Sequence, residues 1–155
     1  MEQLKCVFVR LAQAEDVSAI VSISRKYAGR VALDFPQIRA YLDAPDTVFL
    51  VADEVVVLGF IIGRVGKKNE DGAGEVVSFG FEPYYTGEHM TGALFASLEQ
   101  EFCRRGVHQV LLSSTLFHRD PQLPEWLGYR AVPCRDHGLK RRPQLSLMTK
   151  QLEEK

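Results

Sequence analysis

At 155 residues the chain has the length of one ordinary domain, enough to bury a core without metal or disulfide support. Nineteen Lys and Arg stand against twenty Asp and Glu, a formal net charge of −1, so charge gives no reason to propose nucleic acid as the main partner. The scattered, odd-numbered cysteines Cys6, Cys103 and Cys134 fit free thiols in a reducing compartment, and no leader-like or long apolar run is present, so the sequence predicts a cytoplasmic protein, neither secreted nor membrane-spanning.

Residues 6–11, Cys-Val-Phe-Val-Arg-Leu, carry the β-branched and aromatic content of a first strand. Glu15 and Asp16 then stand where a helix N-terminus favours negative charge. Val17, Ile20, Val21, Ser24, Tyr27 and Ala28 recur at helical spacing, and Gly29 is placed to stop that helix. Asp34 as cap, Pro36 in the first turn and Ile38, Tyr41 and Leu42 on one side predict a shorter lid-like helix ending before Pro45. The apolar runs 47–52 and 55–65 flank Asp53-Glu54, an antiparallel hairpin with the polar pair at its turn.

A polar loop over 66–74 leads to a strand over 75–81 and a turn containing Pro83 and Gly87. Leu94, Leu98 and Phe102 share one face of a helix predicted from about 91 to 105, with Arg104, Arg105 and Gly106 as its closing signals. Residues 107–114 form another strand. A short helix then ends at Leu127-Gly128 with Trp126 as an apolar anchor, and strands over 129–133 and 145–150 close the chain. This order mixes hairpins with two β-α-β crossovers. The expected architecture is one α/β domain over 1–155, a mixed central sheet of about seven strands with four helices on both faces.

The order of elements, with Val9-Arg10-Leu11 and Asp16 at the front, Val51-Ala52 and Gly59-Phe60 in the hairpin and Leu127-Gly128-Tyr129 near the end, resembles the GNAT superfamily of N-acetyltransferases over nearly the whole chain. The resemblance implies the GNAT acyl-CoA N-acyltransferase fold, acetyl-CoA or another acyl-CoA as cofactor, an amine acceptor, and direct transfer in a ternary complex. The family pattern R/Q-x-x-G-x-G/A falls on Thr86-Gly87-Glu88-His89-Met90-Thr91, followed by Gly92, with Thr86, His89 and Thr91 departing from it. In that family this segment opens a helix whose N-terminus faces the CoA pyrophosphate. Unsatisfied N–H groups there bind anions without lysines, and glycine lets a phosphate approach the backbone. The resemblance further implies that the pantetheine arm pairs with main chain along Phe79, Gly80 and Phe81.

Transfer to a lysine-like amine requires the neutral base, which costs roughly 4–5 kcal/mol at pH 7. Glu75, eleven residues ahead of Thr86, stands where some members of the family carry a catalytic glutamate. Its other reading is a solvated charge at the entrance of a strand. Where many members place a tyrosine to protonate the leaving thiolate this chain has Pro124, and their upstream asparagine is matched by Phe117. Tyr129, Tyr84 and Ser114 are the remaining donors, each also explained by packing or strand-end hydrogen bonding. These departures leave a second reading, a catalytically silent GNAT-fold binding or regulatory domain.

Cys134-x-x-His137 with His118 lacks the second ligand pair of a zinc site, so no metal is expected. Residues 59–68 lack the spacing of a phosphate loop. Lys140-Arg141-Arg142, in the loop expected to border the acceptor, either favours a carboxylate-bearing acceptor or is an exposed basic turn. Dimerisation is frequent in the superfamily, which leaves a homodimer open.

Overall fold

The computed structural model describes residues 8–28, 33–66, 72–82, 88–113, 122–131 and 147–152. The elements are β1 (Phe8–Leu11), a 3-10 turn (Ala14–Asp16), α1 (Val17–Ala28), α2 (Phe35–Asp43), β2 (Thr47–Glu54), β3 (Val56–Val65), β4 (Ala73–Phe81), α3 (Glu88–Arg104), β5 (Gln109–Ser113), α4 (Leu123–Trp126), β6 (Arg130–Ala131) and β7 (Leu147–Gln151). They form one seven-stranded sheet in the order β1-β2-β3-β4-β5-β7-β6, in which only β4 and β5 run parallel.

Local chemistry sets the element ends. The Asp34 carboxylate accepts from the Gln37 N–H at 3.0 Å while the Gln37 side chain accepts from the Asp34 N–H at 3.0 Å, a capping box that starts α2. Arg10 donates from Nη1 and Nη2 to the two oxygens of Asp16 at 2.9 and 3.0 Å, and from Nε to Asp53 at 2.9 Å. One guanidinium thereby joins β1, the entry to α1 and β2. Its hydrogen bonds hold the buried Asp16 carboxyl below the usual carboxylate range, against the opposing effect of burial.

The alternation of β2 divides the core. Phe49 and Val51 pack with Phe60 and Ile62 against Val17, Ile20, Val21 and Ile23 of α1 and Ile38 of α2. Val48, Leu50 and Ala52 point the other way, where Met90, Leu94, Phe95, Leu98 and Phe102 of α3 cover the sheet. A Cβ at Gly63 would stand 2.7 Å from Leu98 and from Phe102, so the close approach of α3 depends on that glycine.

Four expectations are corrected. Asp53 and Glu54 remain in β2, because Asp53 is held by Arg10, and the hairpin turns instead at Val55, whose φ is 78°. The strand after the loop begins at Ala73, where pairing with β5 starts, two residues before the expected 75. The long helix begins at Glu88 and not near 91, because Met90 extends the apolar row of Leu94, Leu98 and Phe102 at four-residue spacing. Trp126 is 60% exposed and no core anchor, since the single turn of α4 buries Leu123 and Pro124 instead. The expectations for Cys6, Gly29, Pro83, Tyr84, Thr86, Gly87, Ser114, Phe117, His118, Cys134, His137, Lys140, Arg141 and Arg142 lie outside the described residues.

Candidate functional site

The parallel ladder of β4 and β5 is three rungs long: Ala73 with Gln109, Gly74 with Val110 and Glu75 with Leu111. Both strands then continue apart. β4 stays paired to β3 as far as Phe81, and β5 stays paired to β7 as far as Ser113. Val77 is an extra residue against β3, because the partner changes from Ser78 at Ile62 to Val76 at Gly63. A bulge of this kind sharpens the local twist and turns the strand away from its neighbour. Above Glu75, β4 therefore presents an edge with no strand on its β5 side among the described residues, and main-chain groups on such an edge need another partner.

The N-terminus of α3 lies at the open end of this gap. Met90 rests over the Gly59–Phe81 pair, where a Cβ at Gly59 would stand 2.6 Å from Met90 Sδ and 3.3 Å from Phe81 Cβ. Four N–H groups of the first helical turn have no intrahelical acceptor and carry partial positive charge. Lys26, near the end of α1, donates to Glu82 just beyond β4 at 2.9 Å, so α1 reaches the same mouth.

The expected cofactor residues divide into backbone and side-chain contributors. Phe79 is buried edge-to-face against Phe95, with centroids 5.4 Å apart, and Met90 is fully buried, so neither side chain is open to a ligand. Phe79, Gly80 and Phe81 lie on the part of β4 beyond its last rung with β5. Thr91 is buried with its hydroxyl unpartnered, and a Cβ on Gly92 would meet nothing within 4 Å. Glu88 and His89 open α3, but their side chains, like Thr86 and Gly87, fall outside the described residues.

Glu75 occupies the last rung. Its carboxylate, 53% exposed, accepts from Arg64 Nη2 at 3.2 Å across the β3–β4 pairing. It borders a cavity of about 370 Å³ also lined by Asp46, Arg64, Gly74 and Leu111. Arg64 was not singled out from the sequence. The available signal was its position as the sole charge in the apolar run 56–65.

Tyr129 sits in a polar cluster with Glu99 of α3 and Lys150 of β7. Its buried hydroxyl donates to Glu99 at 2.8 Å, and Lys150 donates to Glu99 and to the Leu127 carbonyl, each at 2.9 Å. Lys150 Nζ also stands 5.6 Å from the centre of the Tyr129 ring. Burial, then the Glu99 charge and hydrogen bond, push the phenol upward from its ordinary range. Through this hydrogen bond Tyr129 links the chain just ahead of β6 to α3. Among the described residues no group of His, Cys, Asp and Glu side chains is arranged to hold a metal. No helix of the described residues is long and apolar enough to cross a membrane.

No family model and no curated protein matches the sequence. Solved structures do resemble it over nearly its full length. The ribosomal-protein-S18-alanine N-acetyltransferase from Escherichia coli is 14% identical with a TM-score of 0.74, covering 97% of this chain and 96% of its own. A GNAT superfamily phosphinothricin acetyltransferase from Sinorhizobium meliloti, in complex with acetyl-CoA, is 17% identical with a TM-score of 0.74, covering 94% and 88%. The PaiA N-acetyltransferase from Thermoplasma acidophilum, in complex with coenzyme A, is 16% identical with a TM-score of 0.73, covering 94% and 99%. The chain has the GNAT acyl-CoA N-acyltransferase fold.

Proposed function

We propose that the chain is an N-acyltransferase that passes an acyl group, acetyl by default, from acyl-CoA directly to an amine within a ternary complex. The observation that carries this reading is the parting of β4 from β5 after Glu75 and Leu111, with the N-terminus of α3 at the open end. Similar structures that hold acetyl-CoA or coenzyme A support it. The residues present suit such a ligand. The part of β4 beyond its last rung with β5 offers main chain to the amides of a pantetheine arm along Phe79, Gly80 and Phe81, in the manner of an added strand. The first turn of α3 offers N–H groups to a pyrophosphate.

From Phe81 back to Glu75 is about 20 Å of strand, at roughly 3.3 Å per residue, so an arm entering at α3 ends beside Glu75. Bound acyl-CoA supplies the activated thioester. Glu75 takes the acceptor's proton, directly or through water, as the nitrogen bonds to the acyl carbon and the bond to sulfur breaks. A thiol of pKa about 8.5 leaves tolerably as the thiolate and is reprotonated by water, which fits a chain with Pro124 where a donor would stand and Tyr129 held by Glu99.

Calorimetry with acetyl-CoA tests the reading on the wild type and on Gly92→Trp, whose side chain would lean toward the start of α3. Micromolar binding, weakened at least about tenfold in the variant, is expected. In Glu75→Gln, binding should persist while turnover falls by about 10²–10⁴. No binding at millimolar acetyl-CoA would sink the proposal. Binding without turnover of any amine would select the silent-domain reading, which the engagement of Tyr129 with Glu99 favours.

A further inference from the structure

The rung that ends the β4–β5 ladder belongs to a longer row. Thr47 pairs with Arg64, Arg64 with Glu75, and Glu75 with Leu111, so one line of side chains crosses β2, β3, β4 and β5. Its neighbours Val48, Val76, Val110 and Leu112 pack toward α3, and strand alternation puts the row on the opposite face. The helices of that face do not close over it, since Arg64 remains 44% exposed beside the 370 Å³ cavity.

The hydrogen-bonding inventory of the row is unbalanced. Arg64 has five N–H donors and, among the described residues, commits one, to Glu75. The Thr47 hydroxyl is sealed from solvent without a partner, and the Asp46 carboxylate has none among the described residues. A guanidinium and two carboxylates thus surround one concavity of small-ligand size, with the positive and negative groups on neighbouring strands about 4.8 Å apart.

We infer that this row is the acceptor subsite, and that the acceptor is a small amino-carboxylate of the free amino-acid type. The inference rests on the transferase reading. The ligand carboxylate takes the remaining N–H groups of Arg64, for which a planar fork is suited. The ligand amine lies between Glu75 and Asp46, which places the proton to be lost beside the proposed base. An acceptor without a carboxylate would leave Arg64 unmatched, so discrimination resides in that contact.

The test measures CoA thiol release from acetyl-CoA with each standard amino acid and, in parallel, with its α-carboxamide. In the wild type kcat/KM should favour one or more acids over the matching amide by about tenfold to a hundredfold, the effect of a charge-assisted hydrogen bond. Arg64→Met should abolish that preference, and Arg64→Lys should retain part of it, with thermal melting used to confirm folding. Equal rates for acid and amide in the wild type, a preference that survives Arg64→Met, or acetyl-CoA binding with no amino acid acetylated would each overturn the inference. If acetyl-CoA fails to bind, the transferase reading falls separately. Calorimetric titration of the same amino acids then decides the subsite: saturable binding lost in Arg64→Met upholds a carboxylate site, and no binding removes it.

Discussion

Asp16 is the residue on which the front of the molecule turns. It accepts both arms of the Arg10 guanidinium and the Gln13 N–H, so a single carboxylate ends β1 and begins the helical segment. Asp16→Asn should lower stability by about 2–3 kcal/mol, because Arg10 then loses a charged partner in a largely buried site. Its carboxyl is shifted downward in the fold, so its contribution is fully present above about pH 4 and is lost as the pH falls through the lower folded value. Urea titrations across that range should therefore show the wild type and Asp16→Asn converging in acid. Tyr129 is the contrasting case. With its hydroxyl committed to Glu99, Tyr129→Phe should cost about 1–2 kcal/mol in the same assay and leave acetylation rates unchanged, whereas a large fall in kcat would identify it as the acid.

At the scale of elements, the β2–β3 hairpin contradicts ordinary turn chemistry. Val55 is 98% exposed and takes a positive φ of 78°, a conformation that a β-branched residue adopts only at a cost. Val55→Asn, which tolerates that region, should raise Tm by about 2–4 °C, as expected for roughly 1 kcal/mol in a chain of this size. Unchanged melting would mean that the strain is negligible. Helix and strand were legible because α1 buries one face at helical period and β2, buried on both faces, is a continuous apolar run, while α4 misled because one turn is too short for a period to show which side faces inward. The four-residue spacing of Met90, Leu94, Leu98 and Phe102 already contained the true start of α3, but the weak glycine pattern beside it drew the boundary inward.

Among the described residues the sheet is continuous at one end and divided at the other. Amide exchange should report this, with Phe79, Gly80 and Phe81 slowed when acetyl-CoA is added and the β2–β3 amides unaffected; a uniform response would argue against a ligand on that edge. The sequence by itself determined the order of strands and helices, the α/β class and the resemblance that pointed to Glu75 and to residues 86–92, because hydrophobic period and capping chemistry act over short spans. Only the tertiary structure decided where β4 leaves β5, that Thr47, Arg64 and Glu75 share one row, and that Tyr129 answers to Glu99. Those facts depend on strand register and on residues far apart in the chain, and a one-residue slip in pairing would have reversed which face each side chain meets.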